Sequence, residues 1–250
     1  MKPNPSRALV IIATYNERPN LTELIGAVLQ ATGCDILIID DSSPDGTGEV
    51  ADDLARADPR ITVIHRDCKQ GVASAHILGF RHALRHGYES VVEMDADFSH
   101  PPTKVPDLLA AAVDTDVVVG SRSVPGGRIL GRSWSRDLLT RCGSAYARLV
   151  LGLQIRDCTG GFRCTRRSAL EAIDLDRVFS RGYGFQFELN HAWSRAGLRF
   201  AELPIEFTER RAGRSKMSYR VVLEALCVVL KLRLGLQHAP LRSSYQRVAA

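Results

Sequence analysis

The segment Val91-Val92-Glu93-Met94-Asp95-Ala96-Asp97-Phe98-Ser99-His100 decides how the chain is read. It opens as a short β-branched run, the composition of a buried strand, and ends in two carboxylates one residue apart. Residues two apart on a strand point the same way, so Asp95 and Asp97 converge on one object at the strand's carboxyl end. Two hard oxygen donors suit Mg2+ or Mn2+, ions that keep several waters and take further ligands from a phosphate-bearing substrate. Turn propensity explains an isolated Asp-X-Asp equally well. Its surroundings choose between the two.

On the amino-terminal side, short apolar runs alternate with amphipathic helical patterns. Strands are expected at Ala8–Ala13, Ile36–Ile39 and Ile61–His65, and helices at Leu21–Ala31, Glu49–Ala57 and Val72–Arg85. Asn20, with Glu23 three residues on, reads as a capping box for the first helix. Beyond the quoted segment come a helix over Val105–Val113 and a strand over Val117–Gly120. This alternation predicts an α/β protein: right-handed βαβ units forming a Rossmann-like, mainly parallel central sheet with helices on both faces. Such sheets bind ligands outside the carboxyl ends of their strands. Four of those ends carry polar clusters, Tyr15-Asn16-Glu17, Asp40-Asp41, Asp95-Ala96-Asp97 and Ser121-Arg122, and are expected to meet in one crevice. The first strand is not followed by G-x-G-x-x-G, and G-x-x-x-x-G-K-[ST] occurs nowhere, which argues against a dinucleotide oxidoreductase and a P-loop NTPase.

After Arg122 the pattern loosens. Val124–Arg132 is Gly-rich and expected to be a mobile loop, and Ser133–Leu153 reads as a helix with Arg136, Arg141 and Arg148 among its apolar residues. Asp157–Arg163 is turn-rich, a short helix follows over Arg167–Ile173, and Gly182–Glu188 leads into another ending near Gly197. A last strand is expected over Phe200–Phe207, then a basic loop to Lys216 and a helix from about Met217 to Leu236. Within it Val221–Leu230 is apolar except for Glu224, about half the length a membrane span needs. Periodicity alone is met by a helix packed on the sheet; the sharper expectation is an amphipathic helix in a membrane interface. Residues 1–216 then form the catalytic domain, and 217–250 the amphipathic helix with a polar tail.

Charge divides the chain of 250 residues. Met1–Ser121 holds 10 Lys/Arg against 18 Asp/Glu, and Arg122–Ala250 holds 23 against 10. The acidic half suits a metal, the basic half phosphate or an anionic membrane surface. Nucleic acid is disfavoured, since no finger spacing, RNA-binding aromatic signature or basic zipper is present. The six cysteines form no C-x-x-C pair, and no signal peptide is legible at the start. Reduced thiols and a cytoplasmic location are expected. The seven histidines show no ligand spacing and read as structural, with His100 beside the acidic pair the one of interest.

Taken together, Ala13-Thr14-Tyr15-Asn16-Glu17, Asp40 to Thr47, Met94 to His100, Gly120-Ser121-Arg122, Asp157 to Arg163, Gly182 to Glu188 and Arg210 to Lys216 resemble polyprenol (dolichol) phosphate mannose synthases, in the same order. Those enzymes are inverting family-2 glycosyltransferases of the GT-A fold, and the resemblance runs over about residues 8–220. It implies transfer of mannose from GDP-mannose to a polyprenyl phosphate, giving a β-mannosyl phosphate lipid and GDP. By motif, Ala13, Thr14, Tyr15, Glu17, Ile39 and Asp41 fall where the family holds the nucleotide, and Asp95, Ala96 and Asp97 where the metal bridges the diphosphate. Arg122, Arg210 and Lys216 match phosphate-engaging residues; with Asp97 they make up the catalytic set the resemblance implies. The sequence departs from the family at Ala13, usually Pro, at Lys69–His76, usually richer in Gly, at Gly161, where Ser is common, and at His100-Pro101-Pro102, in place of His-His-Pro. Two alternatives stay open: a polyprenyl-phosphate transferase using a UDP-sugar, and a non-catalytic nucleotide-sugar-binding subunit. The expected location is the cytosolic face of the membrane, held peripherally, with room for a membrane-anchored partner protein.

Overall fold

The computed structural model describes residues 7–131, 133–180, 182, 184–209 and 219–236. Four strands, β1 (Ala8–Thr14), β2 (Asp35–Asp40), β3 (Ile61–His65) and β4 (Ser90–Asp95), lie parallel in the order β3-β2-β1-β4. Helices α1 (Arg18–Ala31), α2 (Thr47–Ala57) and α3 (Val72–His86) cross over between them, and α4 (Val105–Ala111) leads to β5 (Val117–Ser121). The sheet has seven strands, completed as β4-β7-β5-β8 by β7 (Arg163–Arg166) and β8 (Phe200–Pro204). Only β7 is antiparallel to its neighbours.

The side-chain period of two sorts the apolar runs onto the two faces. Val10, Ile12, Ile36, Ile38, Val92 and Met94 pack under α1, α2 and α4. Leu9, Ile11, Leu37, Ile39 and Val91 pack under α3, α6 (Arg167–Glu171) and α7 (Gly184–Arg195), with Phe80, Phe185 and Trp193. Each such side chain taken out of water contributes about 1.5–3 kcal/mol before chain entropy opposes it. This doubly covered sheet is what lets polar strand ends be held rigidly. A third cluster joins α5 (Trp134–Leu151) and α8 (Tyr219–Arg233), through Ala147, Val228, Val229 and Leu232, to Phe187 of α7.

Four local expectations are corrected. The capping box does not form: α1 starts at Arg18 after Glu17, Pro19 occupies its first turn, and Asn20 is buried with its amide donating to Glu17 Oε2 at 3.1 Å. Arg163, read as the end of a turn, instead opens a central strand, β7, with its side chain fully buried 3.6 Å from Glu93. The single strand Phe200–Phe207 breaks at Pro204, which has no N–H for a ladder; β8 ends there and β9 (Glu206–Thr208) follows. The loop at 124–132 is partly ordered by β6 (Arg128–Leu130), which pairs in parallel with β9. Gly127 makes this possible: a Cβ there would lie 2.5 Å from the Ser121 carbonyl oxygen.

Candidate active site

The adjacent ends of β1, β2 and β4 set the acidic side of the site. Thr14, buried at the end of β1, donates through Oγ1 to Asp40 Oδ1 at 2.8 Å, and Asp40 also accepts the Ser43 amide at 2.9 Å. Asp41 is tied back to Thr14 O by its own N–H at 3.0 Å. Its Oδ2 accepts the Gln70 and Gly71 amides at 3.2 and 2.9 Å, and its carboxylate pairs with the buried Arg66. Asp45 closes the turn, accepting from the Thr47 amide at 3.0 Å and the Arg18 amide at 3.3 Å. Its slight burial pushes its pKa up, but the hydrogen bonds from Thr47 and Arg18 outweigh that and leave it lowered. Tyr15 lies half-buried beneath Lys69, whose Nζ is 3.6 Å from the ring centroid. Ala13 stands in register with Ile39 on one side and Asp95 on the other. Glu17 is anchored by its amide, which donates to Thr47 Oγ1 at 3.0 Å. Asn16, Ser42 and Phe98 have φ of 60°, 56° and 62°, and each lies in one of the turns that leave these three strands. Left-handed backbone at non-glycine residues is costly and concentrates where a chain must hold a special shape.

Asp95 ends β4 half-exposed, Ala96 is buried behind it, and Asp97 is 5% exposed with Oδ1 accepting the Ser99 amide at 3.0 Å. His100 braces the first carboxylate. Its Nδ1 accepts the Asp95 N–H at 3.0 Å, its Nε2 lies 3.8 Å from Asp95 Oδ2, and its ring stacks on Phe162 at 5.0 Å. Burial pushes the His100 pKa down, against the pull of Asp95, so the ring is neutral with its proton on Nε2. Among the described residues no group of three or more His, Cys, Asp or Glu gathers as a metal site. The half-exposed Asp95 carboxylate, with Asp97 two residues on, supplies hard oxygen donors of the kind an octahedral cation takes alongside phosphate and water.

Across the edge stands Arg122, just past β5 and 8% exposed. Its Nε and Nη2 donate to Asp157 Oδ2 and Oδ1, both at 2.7 Å, and Nη2 also reaches Thr159 Oγ1 at 2.7 Å. Burial alone would lower the Arg122 pKa and raise that of Asp157; their mutual charge reverses both shifts. The guanidinium carbon lies 5.1 Å from the Phe207 ring, whose edge meets His100 at 5.8 Å. Three of the four expected strand ends are thus adjacent, and the fourth joins them through His100 and Phe207 although β7 intervenes. Arg210 and Lys216 lie outside the described residues.

Beneath the Asp95 end of β4, Glu93 is fully buried two residues before Asp95. Its oxygens lie 3.6 Å from His76 Nδ1 of α3 and 3.6 Å from Arg163 Nε of β7. Burial pushes Glu93 up to about 7 and His76 down to about 3, so His76 is neutral. Neither Glu93, nor Arg163, nor Asp157 was assigned a role from the sequence. Spacing could not have joined them, because Asp157 lies 35 positions from Arg122, and Arg163 lies 27 from Asn190 and 70 from Glu93. The one available signal was composition: an acid, Glu93, inside a short apolar run.

The model of "Glycosyl transferase family 2" matches residues 9–174. An undecaprenyl-phosphate mannosyltransferase of Micrococcus luteus is 45% identical over 95% of this chain and 98% of its own length. A polyprenol monophosphomannose synthase of Mycolicibacterium smegmatis is 48% identical, over 88% and 84% respectively. Among solved structures, glucosyl-3-phosphoglycerate synthase from Mycobacterium tuberculosis with Mn2+, UDP and glucosyl-3-phosphoglycerate superposes with a TM-score of 0.65 at 20% identity, covering 91% of this chain and 80% of that one. Mannosyltransferase PcManGT from Pyrobaculum calidifontis, in complex with GDP-Man and Mn2+, gives 0.59 at 20% identity, over 95% and 68%. These two share the fold. A family match across most of the chain, with relatives near half identity over nearly their whole length, places this chain in glycosyl transferase family 2.

Proposed function

We propose that this chain transfers mannose, with inversion, from GDP-mannose to a polyprenyl phosphate, forming a polyprenyl β-mannosyl phosphate and GDP. The observation that carries the reading is the link, at the carboxyl ends of β4 and β5, from Asp95 through His100 and Phe207 to the buried Arg122. The names of the relatives give a mannosyltransferase for undecaprenyl phosphate and a polyprenol monophosphomannose synthase, and a fold neighbour was solved with GDP-Man. Thr14, Tyr15, Glu17 and Asp41, with Ala13 and Ile39 behind them, hold the nucleotide. Asp95 and Asp97 would hold Mg2+ or Mn2+, and such an ion would supply Lewis-acid stabilisation of the departing charge. Two solved fold neighbours were crystallised with Mn2+. Arg122, with Arg210 and Lys216, binds phosphate. An acceptor phosphate oxygen attacks the anomeric carbon as the bond to the diphosphate breaks. The acceptor is already an anion, so no general base is assigned. Positioning and charge stabilisation carry the rate.

In this reading residues 1–216 are the catalytic domain, and 217–250 add a membrane-facing helix and tail. Among the described residues no helix is long and apolar enough to cross a membrane. Trp134 and Leu149 of α5 are 77% and 86% exposed, Leu230 of α8 is half-exposed, and Arg141, Arg148, Lys231 and Arg233 are exposed on the same helices. Apolar anchors among basic residues suit peripheral attachment to an anionic surface. Purified protein is expected to sediment with phosphatidylglycerol vesicles in a salt-sensitive manner, and a Leu149→Glu variant several-fold less. Equal sedimentation of both would contradict the attachment. The reaction itself is tested by offering GDP-mannose, UDP-glucose and GDP-glucose separately with undecaprenyl phosphate in detergent. Lipid-linked sugar from GDP-mannose alone is the expected result, and label from a UDP-sugar instead would overturn the donor.

A further inference from the structure

Arg122 is held far more tightly than a residue that merely attracts an anion needs to be. Asp157 is fully buried and accepts three bonds from it: the backbone N–H at 2.9 Å, and Nε and Nη2 at 2.7 Å each. Thr159 Oγ1 takes a further Nη2 hydrogen at 2.7 Å while its hydroxyl lies 3.2 Å from Asp157 Oδ1, to which it can donate. The guanidinium is a planar fork, so spending Nε and Nη2 on one side fixes the direction of the remaining Nη1 edge. None of the hydrogen bonds from Arg122 to described residues uses Nη1.

The turn that carries Asp157 and Thr159 is in its turn held from four elements. Glu202 of β8 accepts the Arg156 and Asp157 amides at 2.7 and 2.9 Å. Asn190 of α7 donates to Cys158 O at 3.1 Å, and Arg163 of β7 donates to Gly160 O at 2.6 Å. The Gly120 amide of β5 donates to Phe162 O at 2.8 Å. An ion pair neutralised this completely contributes little long-range attraction. Its value to a phosphate reader lies in geometry.

We propose that Asp157 and Thr159 are positioning residues, which aim the Nη1 edge of Arg122 at the acceptor phosphate and thereby orient the attacking oxygen. This rests on the mannosyl-transfer reading above. Misorientation of a bound nucleophile lowers turnover more than binding, because the contact matters most as the reacting atoms align. Releasing the fork also uncovers positive charge, which does not weaken binding of an anion. Asp157→Asn is therefore expected to lower kcat at least 10-fold while the KM for undecaprenyl phosphate stays within about 3-fold of wild type. Thr159→Val, which keeps the shape and the buried ion pair, is expected to lower kcat about 3- to 10-fold with both KM values unchanged. Should Asp157→Asn not fold, Thr159→Val decides alone. A kcat within twofold of wild type in every folded variant overturns the positioning role. A wild-type chain that transfers nothing to undecaprenyl phosphate overturns the functional reading instead, and the positioning role falls with it.

Discussion

At the β1–β2–β4 end of the site, each polar group follows directly on the apolar strand that positions it: Thr14 on β1, Asp40 and Asp41 on β2, Asp95 on β4. At the β5 end, Arg122 depends on Asp157, 35 positions later, and Asp157 on a turn braced by β7, β8 and α7. The groups of the acidic end are thus placed by local sequence on a regular parallel frame, with Asp41 further held by the buried Arg66, while Arg122 at the basic end is placed by a distant buried charge beside one antiparallel strand. The contrast suits the chemistry proposed. A metal–diphosphate site needs carboxylates that stay accessible to a cation, and Asp95 is left half-exposed. A group that must orient a single phosphate needs rigidity, and Arg122 is given it by near-complete burial against a paired carboxylate.

The contrast can be broken most forcefully at its acidic end. Asp97→Ala is expected to lower transfer by about 10^3-fold or more, the scale of losing charge stabilisation worth several kcal/mol, without lowering the melting temperature. Loss of fold in step with activity would show the carboxylate to be structural. At the basic end the order of effects reverses. Arg122→Ala leaves Asp157 buried without its partner and is expected to cost about 3–5 kcal/mol of stability in denaturant titration. A cost below about 1 kcal/mol would mean that the pair is wetter than its burial indicates.

Two glycines sharpen the point on a smaller scale. Gly127→Ala would force a Cβ to within 2.5 Å of the Ser121 carbonyl oxygen, and is expected to cost about 1–3 kcal/mol. Gly161→Ala would place a Cβ 3.5 Å from Gln186 Nε2 and 3.7 Å from His100 Cε1, ordinary contact distances, and should stay within about 0.5 kcal/mol. Reversal of that order in thermal melts would misplace the wall between Arg122 and the β6–β9 pair. A pH-dependent effect concerns the seam between the ends. His76, held near pKa 3, binds a proton in the unfolded chain below pH 6.5 but not in the folded one. The stability it contributes is present above pH 6.5 and lost as pH falls toward 3. Glu93, pushed up to about 7, acts in the opposite sense: its contribution is complete below about pH 4.3 and lost as pH rises through 7. Replacing His76 by Gln should therefore flatten the acid-side decline between pH 6.5 and 4.5, by up to about 1.4 kcal/mol per pH unit. An unchanged slope would place His76 in contact with solvent.

The same contrast explains what could be read before folding. β1, β2 and β4 are short apolar runs bounded by turn residues, so Asp41 and Asp95 could be placed at strand ends from the pattern; Asp97, expected on the same strand, lies past the end of β4 in the turn that follows. β7 could not. Arg163-Cys164-Thr165-Arg166 carries two charges in four residues and gives no strand signal, because what allows Arg163 to be buried is Asn190 and Glu93, each far away in sequence. Asp157 was legible only as a member of a motif; its bond to Arg122 exists because β7 brings the turn back beside β5. Local pattern therefore reached the carboxylates at the end of β4, and tertiary charge pairing concealed the Arg122–Asp157 pair.

The most direct test removes and restores the cation. Protein stripped with EDTA would be mixed with GDP-mannose and undecaprenyl phosphate, Mn2+ or Mg2+ titrated in, and the product's anomeric configuration read by NMR. The expected result is lipid-linked mannose that appears only with metal and is β-configured. Metal-independent transfer, an α-linked product, or mannose released to water would contradict it.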